Sequence, residues 1–387
     1  MSDQAAGGYA PMDFTVRSDM LGQLAEWAVT AVPSSPTLPV NGCFEVTVSP
    51  GELQLAAADQ QKAVIAVIPA VRTASAGRVY LPARKLKSIL AEARDGDVTV
   101  AVSGKTALVT AGKAAWSLHL PPPDQYTGLP DLSGAQFAPV GREALLTALS
   151  TVRHAVSKDL GRPASTQVRI APDGDGTFAC AASSSQFSRA PVPGFPGEML
   201  IPGHVLDDLV KLLSKSQDDN AEVATAGSYA VFRAGPVTLA ALRVAKEFPN
   251  VEGDFLKRVH GNDMELSVDK GELAGALRRV RINADAISSA VTLIADGDGK
   301  WGRLTVTTRD ANANSAEEVI PASWEHGHHV LVVNAAFLSA MLAVHPSPTC
   351  VFKTARDRGK ARVPLVLEDK DKQVTGICAQ ALSPAGR

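Results

Sequence analysis

One short pattern is written three times in this chain. Tyr80–Leu90, Leu200–Leu213 and Leu331–Leu342 each read as a short apolar strand, a one-residue break and a short helix. The breaks are Pro82, Pro202 and Asn334. Proline is tolerated where a helix starts, because its missing N–H would have no partner there, and asparagine is a good N-cap. The breaks lie 120 and 132 residues apart. That period is too long for a solenoid and fits a whole domain repeated.

A second landmark keeps the same period. Ser18–Val29, Gly141–Val152 and Lys270–Val280 place apolar residues three and four apart, which makes one apolar helical face. Leu21, Leu145 and Leu273 are spaced by 124 and 128 residues. The 387 residues therefore divide into a Gly-rich lead-in at 1–11, expected to be disordered, and repeats at 12–132, 133–255 and 256–387. Each repeat is long enough to bury its own core.

Inside each repeat, runs of alternating apolar residues follow each helix, as in Phe44–Val48, Glu52–Ala56 and Ala63–Ile68 after the first. Pro50-Gly51 supplies the intervening turn. A β-α-β-β-β half, written twice per repeat, predicts an α+β fold with two helices on one face of antiparallel sheets. Pro121–Leu132 and Glu247–Gly253 read as linkers.

Composition excludes more than it assigns. Lys and Arg number 38 against 40 Asp and Glu, a net charge of −2, which taken alone argues against a simple nucleic-acid binder. No run reaches the roughly 18 apolar residues of a membrane span. The first residues lack the charged and apolar regions of a secretory signal. Cys43, Cys180, Cys350 and Cys378 are scattered without a CxxC pair, as buried thiols of a reducing, cytoplasmic protein would be.

Catalytic signals are poor. Asp296–Lys300 imitates the start of a calcium loop, but Thr307 stands where the twelfth-position Glu is required. That stretch and Asp173–Gly176 read as tight hairpin turns. His326, His328 and His329 read as an exposed loop cluster without metal-ligand spacing. There is no Gly-x-Ser-x-Gly elbow and no phosphate loop. The expectation is no metal, no cofactor and no catalysis.

Six stretches carry a resemblance: Phe14–Val16, Pro36–Pro39, Val79–Arg84 with its helix, Tyr126–Leu132, Phe248-Pro249, and Val333-Asn334 before Phe337-Leu338. In order and spacing, over roughly residues 12–382, the chain resembles bacterial-type DNA sliding clamps, the DNA polymerase III beta subunit family. The resemblance implies a head-to-tail homodimer closing into a ring, with helices lining the hole. It implies duplex DNA held inside without sequence being read. A polymerase and a clamp loader would dock through short peptide motifs, and no membrane would be involved.

On that reading the DNA-facing residues are Arg84, Lys85, Lys87, Arg153, Lys158, Arg162, Lys211, Lys215, Arg278, Arg279 and Arg281, with Arg94 beside them. A bland alternative is that these bases merely sit at helix C-termini. The first helix has no base, and Ser35 stands where the family carries one before Pro-Thr-Leu-Pro. The partner pocket would use Phe337 and Leu365 as floor, Pro249 and Ile377 as walls, and Gln186 and Asn334 as rim. Phe187 would refill space left by the small Ala379 and Ala381, which flank Gln380. Ser183–Ser188 departs from the family's Thr-Asp-Gly-x-Arg-Leu, and the tail departs too. A clamp-fold paralogue serving as a specialised or decoy partner-binding protein is the alternative. An enzyme built on the His326–His329 cluster is the outside class.

Overall fold

The computed structural model describes residues 8–69, 72–93, 96–126, 128–250, 262–285, 288–310, 312–356, 363–369, 371 and 373–378. Contacts divide the chain into two compact units: residues 1–142 with 207–243, and residues 143–206 with 244–387. The described residues hold six α-helices: α1 Ser18–Ala28, α2 Ala83–Glu92, α3 Arg142–Val152, α4 Leu206–Lys215, α5 Lys270–Val280 and α6 Ala335–Val344. The strands pair antiparallel, so the class is α+β.

Unit 1 contains two sheets. A five-stranded sheet runs Arg72–Ser75, Tyr9–Arg17, Asp97–Gly104, Thr106–Ala111, Ala114–His119. An eight-stranded sheet runs Ala138–Gly141, Asn220–Ala226, Tyr229–Ala234, Val237–Leu242, Lys62–Pro69, Glu52–Ala58, Cys43–Ser49, Gly77–Pro82. Its central joint pairs Val237–Ala241 with Lys62–Ala66, so strands of the second repeat extend the sheet of the first. α1 buries Leu21, Leu24, Ala25 and Ala28, an i, i+3, i+4, i+7 stripe, and lies against α2 with Gly22 beside Leu90.

Strand Tyr9–Arg17 begins within the stretch expected to be disordered, which corrects that lead-in for Tyr9–Pro11. Tyr9 is buried and its hydroxyl donates to Pro121 O at 2.7 Å, tying the strand's start to the linker. The rest of the lead-in, residues 1–7, lies outside the described residues.

Unit 2 contains one twelve-stranded sheet, in the order Met199–Pro202, Gln167–Asp173, Gly176–Ala182, Gln186–Pro191, Val374–Cys378, Leu365–Asp369, Thr349–Thr354, Met264–Asp269, Ser315–Trp324, Gly299–Arg309, Ala290–Gly297, His329–Asn334. The pair Ser267↔Ser323 alone joins Met264–Asp269 to Ser315–Trp324. Its main core gathers Trp324, Phe352, Leu304, Val306, Leu331 and Leu338 among others.

Local chemistry sets the boundaries. Pro82 is the N-cap of α2, and Asn334 caps α6 by accepting from Phe337 N. The helix expected at 203–213 starts as a 3-10 turn, Gly203–Val205, before α4. A Cβ on Gly203 would fall 2.7 Å from Thr166 O and from Val156 Cγ1, so that turn needs glycine. Asp173↔Gly176 and Asp296↔Arg303 are hairpin pairs, so both Asp-Gly-Asp-Gly runs sit at strand turns. All four cysteines are unbridged, and burial pushes the Cys43 and Cys378 thiols up to about 12.

Candidate nucleic-acid surface and partner pocket

All eleven expected DNA-facing cations are exposed. Arg94 lies outside the described residues. Their positions on the helices discriminate between the two readings of the sequence. Arg84, Lys85 and Lys87 fall in the first five residues of α2, the end at which the helix dipole disfavours a cation. End-capping cannot explain them. Lys215, Arg278 and Arg279 do sit in last turns, where the dipole favours them.

Neighbours tune these charges unequally. Arg84 Nη2 donates to Ser34 O at 3.0 Å, and Arg162 lies 3.8 Å from Asp159. Arg279 grips Glu318 through Nε (2.7 Å) and Nη2, and the guanidinium holds that carboxyl below the usual range. Arg278, its neighbour, forms no ion pair among the described residues, so it carries more of the local positive field. In unit 1, Lys211 and Lys215 stand over the Trp27 ring, 5.1 and 5.7 Å from its centroid.

The expected partner pocket lies within unit 2. Only Ser183–Ser185 is a loop; Gln186–Pro191 is a strand, paired Gln186↔Cys378, Phe187↔Ile377 and Ser188↔Gly376. Phe187, Ile377, Val366 and Ala182 form a small buried cluster, with Phe248 and Cys180 half-buried against it. α6 lies tightly on this strand pair, since a Cβ at Gly376 would fall 2.6 Å from Met341 Sδ.

Several expected roles change as a result. Leu365, expected as floor, points into the main core of unit 2, and strand alternation turns Val366 toward Phe187 instead. Phe187 and Ile377 are fully buried structural residues, not open walls. Gln186, expected on the rim, is 5% exposed and its Nε2 meets His154 Nδ1 at 3.3 Å. Asn334 is committed at both ends of its amide: Oδ1 caps α6, and Nδ2 donates to Ser288 O at 2.8 Å. Phe337 and Pro249 are half-buried and retain surface for a ligand. Ala379, Gln380 and Ala381 lie outside the described residues.

Sequence reasoning overlooked three residues here. Val366 was signalled by alternation with Leu365, and Phe248 by its place beside Pro249. His154 had no such signal. Burial pushes its imidazole down to about 4, and its Nε2 is buried without a partner among the described residues. The ring is therefore held neutral inside the fold, with Nδ1 engaged by Gln186 and Nε2 enclosed.

The histidine loop is accounted for locally. His328 Nδ1 pairs with Asp296 Oδ1 at 2.7 Å, while His326 and His329 lie against the Trp324 ring. Among the described residues no three His, Cys, Asp or Glu side chains gather as metal ligands. None of the described helices is long and apolar enough to cross a membrane.

With this geometry in hand, comparison with known proteins is consistent across sequence and fold. Residues 12–130 match the family model of the DNA polymerase III beta subunit, N-terminal domain. The beta sliding clamp of Micrococcus luteus is 25% identical over 320 residues, covering 81% of this chain and all of that protein. The beta sliding clamp of Staphylococcus aureus is 24% identical over 302 residues, 74% of this chain and 78% of that one. Among solved structures, Caulobacter crescentus pol III beta superposes with a TM-score of 0.84 at 20% identity, covering 96% of this chain and 100% of that one. The DNA polymerase III subunit beta of Pseudomonas aeruginosa, solved bound to griselimycin, gives 0.85 at 18% identity, covering 97% and 100%. At these identities the structural matches speak for the fold.

Proposed function

We propose, from the match of residues 12–130 to that family model and the likeness to beta sliding clamps, that the chain is a bacterial-type sliding clamp of the DNA polymerase III beta subunit family, non-catalytic and cytoplasmic. Two copies close head to tail around duplex DNA, and the ring tethers a polymerase and other DNA enzymes. The eleven exposed cations face the duplex. They contact phosphate rather than bases, so unloaded binding is weak and steeply salt-dependent.

The observation that carries the ring is a junction made twice within the chain. In each case the last strand of one repeat adds to the third strand of the preceding repeat's first meander: Val237–Leu242 on Lys62–Pro69, and Val374–Cys378 on Gln186–Pro191. The same rule leaves one pair over. The last strand of the first repeat is Ala114–His119, an exposed sheet edge in unit 1. Its equivalent acceptor is Ser315–Trp324, which pairs with Gly299–Arg309 on one side and keeps only Ser267↔Ser323 on the other. Val319 on that strand is 54% exposed. A second copy satisfies both edges at once, a heterologous contact that closes after two chains.

Partner peptides dock in unit 2 beside Phe337, Pro249 and Phe248. One or two apolar anchors gain about 1.5–3 kcal/mol each, much of it offset by ordering the peptide. The site is therefore weak and exchangeable, as a ring shared among enzymes requires. Sedimentation at micromolar protein tests the reading. A dimer is expected, reduced to monomer by Val319→Asp, and a wild-type monomer would count decisively against it.

A further inference from the structure

We propose that Trp27 is a positioning residue for DNA: its ring seats Lys211 and Lys215, giving the α1 side of unit 1 a positive charge that α1 does not itself carry. The inference rests on the reading above that the exposed cations face a duplex. α1 exposes Asp19, Gln23 and Glu26, one stripe at i, i+4, i+7, and contains no base. Arg17, just before the helix, pairs with Asp19 at 2.8 Å, which leaves Glu26 as the carboxylate of the stripe that would repel phosphate. Trp27 lies half-buried beside the stripe, and the two ammonium groups stand within reach of its negative ring face.

The seat is built from both sides. Lys211 and Lys215 are four apart on α4 and so share one face. The end of α4 is held in turn by Arg142, which donates from Nη1 to Leu213 O at 3.1 Å and from Nε to Asp218 O at 2.6 Å. Beside the ring a cavity of about 470 Å³ is lined by Gln23, Glu26, Trp27 and Lys215 among others. Both lysines remain exposed, so their N–H groups are available to phosphate while their rotamers are already restricted.

The test is unloaded binding of the full chain to a short linear duplex across a salt series. Lys211→Gln with Lys215→Gln removes two phosphate contacts and should make the logarithmic salt slope shallower by about 1.8. Trp27→Leu should flatten the slope by part of that amount and weaken binding about 2–5-fold for each lysine unseated. Trp27→Phe, which keeps a ring, should stay near wild type. In the double-lysine background Trp27→Leu should add nothing. Misfolding lowers the competent fraction without changing the slope, so the slope separates seating from stability. A wild-type slope in Trp27→Leu or in the double-lysine variant, or an undiminished Trp27→Leu effect without the lysines, overturns the seat and leaves the DNA-facing reading standing. A wild-type protein with no salt-dependent binding removes that reading itself, and the seat with it.

Discussion

The two inter-repeat junctions are one backbone construction with two chemistries. In unit 1, Asp59 N donates to Lys62 O at 2.9 Å, and Asp59 Oδ1 accepts from the amides of Gln61 and Lys62. In unit 2, Ser183 N donates to Gln186 O at 2.8 Å, and Ser183 Oγ accepts from Ser185 and Gln186. Strand register matches as well: Ala241↔Lys62 and Ala240↔Ala63 in one, Cys378↔Gln186 and Ile377↔Phe187 in the other. At equivalent places Ala63 and Ala240 face each other where Phe187 and Ile377 do. Lys62 pairs with Asp208 at 2.5 Å where Gln186 meets His154. A turn and a register therefore fix the joint, and side-chain volume decides what else it does. The first joint is an alanine seam beside a polar cavity of about 610 Å³; the second has aromatic and aliphatic mass beside Phe248.

The harshest way to break that contrast is to make the second joint resemble the first. Phe187→Ala removes a fully buried aromatic ring. The expected loss is about 3–5 kcal/mol in unit 2, read as a fall in denaturant midpoint. Hydrogen exchange should accelerate at Gln186–Arg189 and Thr375–Cys378 while Lys62–Ala66 stays protected. Equal acceleration in both joints would mean that volume is not what distinguishes them.

Next comes pH, where His154 marks the second joint. Its folded imidazole takes a proton only near pH 4, whereas an unfolded one does so near 6.5. Between those values the unfolded chain binds more protons, so stability falls as pH drops from 6.5 to 4 and the penalty is absent above 6.5. The full loss is about 3 kcal/mol. His345 is also held down by burial, so the diagnostic quantity is the difference from His154→Gln. Chemical denaturation at pH 7 and pH 4.5 should show the variant losing less; identical losses would remove His154 from the account.

Much of this was legible in the sequence, and the division between what was and was not is physical. The strand–break–helix pattern, the α1 stripe and the Pro82 and Asn334 caps are local signals, and they lie where the periodicity places them. Joining of sheets between repeats is not local. Nothing within Lys62–Ala66 distinguishes it from any other half-buried strand until Val237–Ala241 is beside it. The same long-range pairing hid the true state of the pocket residues. A resemblance transfers position along a chain, but exposure depends on the opposite strand, and Cys378 and Ile377 are what bury Gln186 and Phe187. The lysines of α4 read correctly as surface charges, while their aromatic seat lies some 185 residues earlier in the chain.

The smallest effect tests whether the two turns are truly equivalent. Asp59→Ala and Ser183→Ala each delete an acceptor for two backbone amides, in the same turn, one per unit. A charged acceptor makes the stronger bonds, and Asp59 is also closer to its donors: 2.7 and 2.8 Å, against 3.5 and 3.2 Å at Ser183. Asp59→Ala should therefore cost about 1–2 kcal/mol and Ser183→Ala about 0.5–1 kcal/mol. Exchange should quicken locally at the Lys62 amide in one variant and at the Gln186 amide in the other. Ser183→Asp then sharpens the comparison, because it writes the first joint's acceptor into the second. If the turns are the same device, Ser183→Asp slows exchange at Gln186 and raises the unit 2 midpoint slightly. If it lowers that midpoint, the shared register does not extend to the turn, and the likeness between the joints ends at the strands.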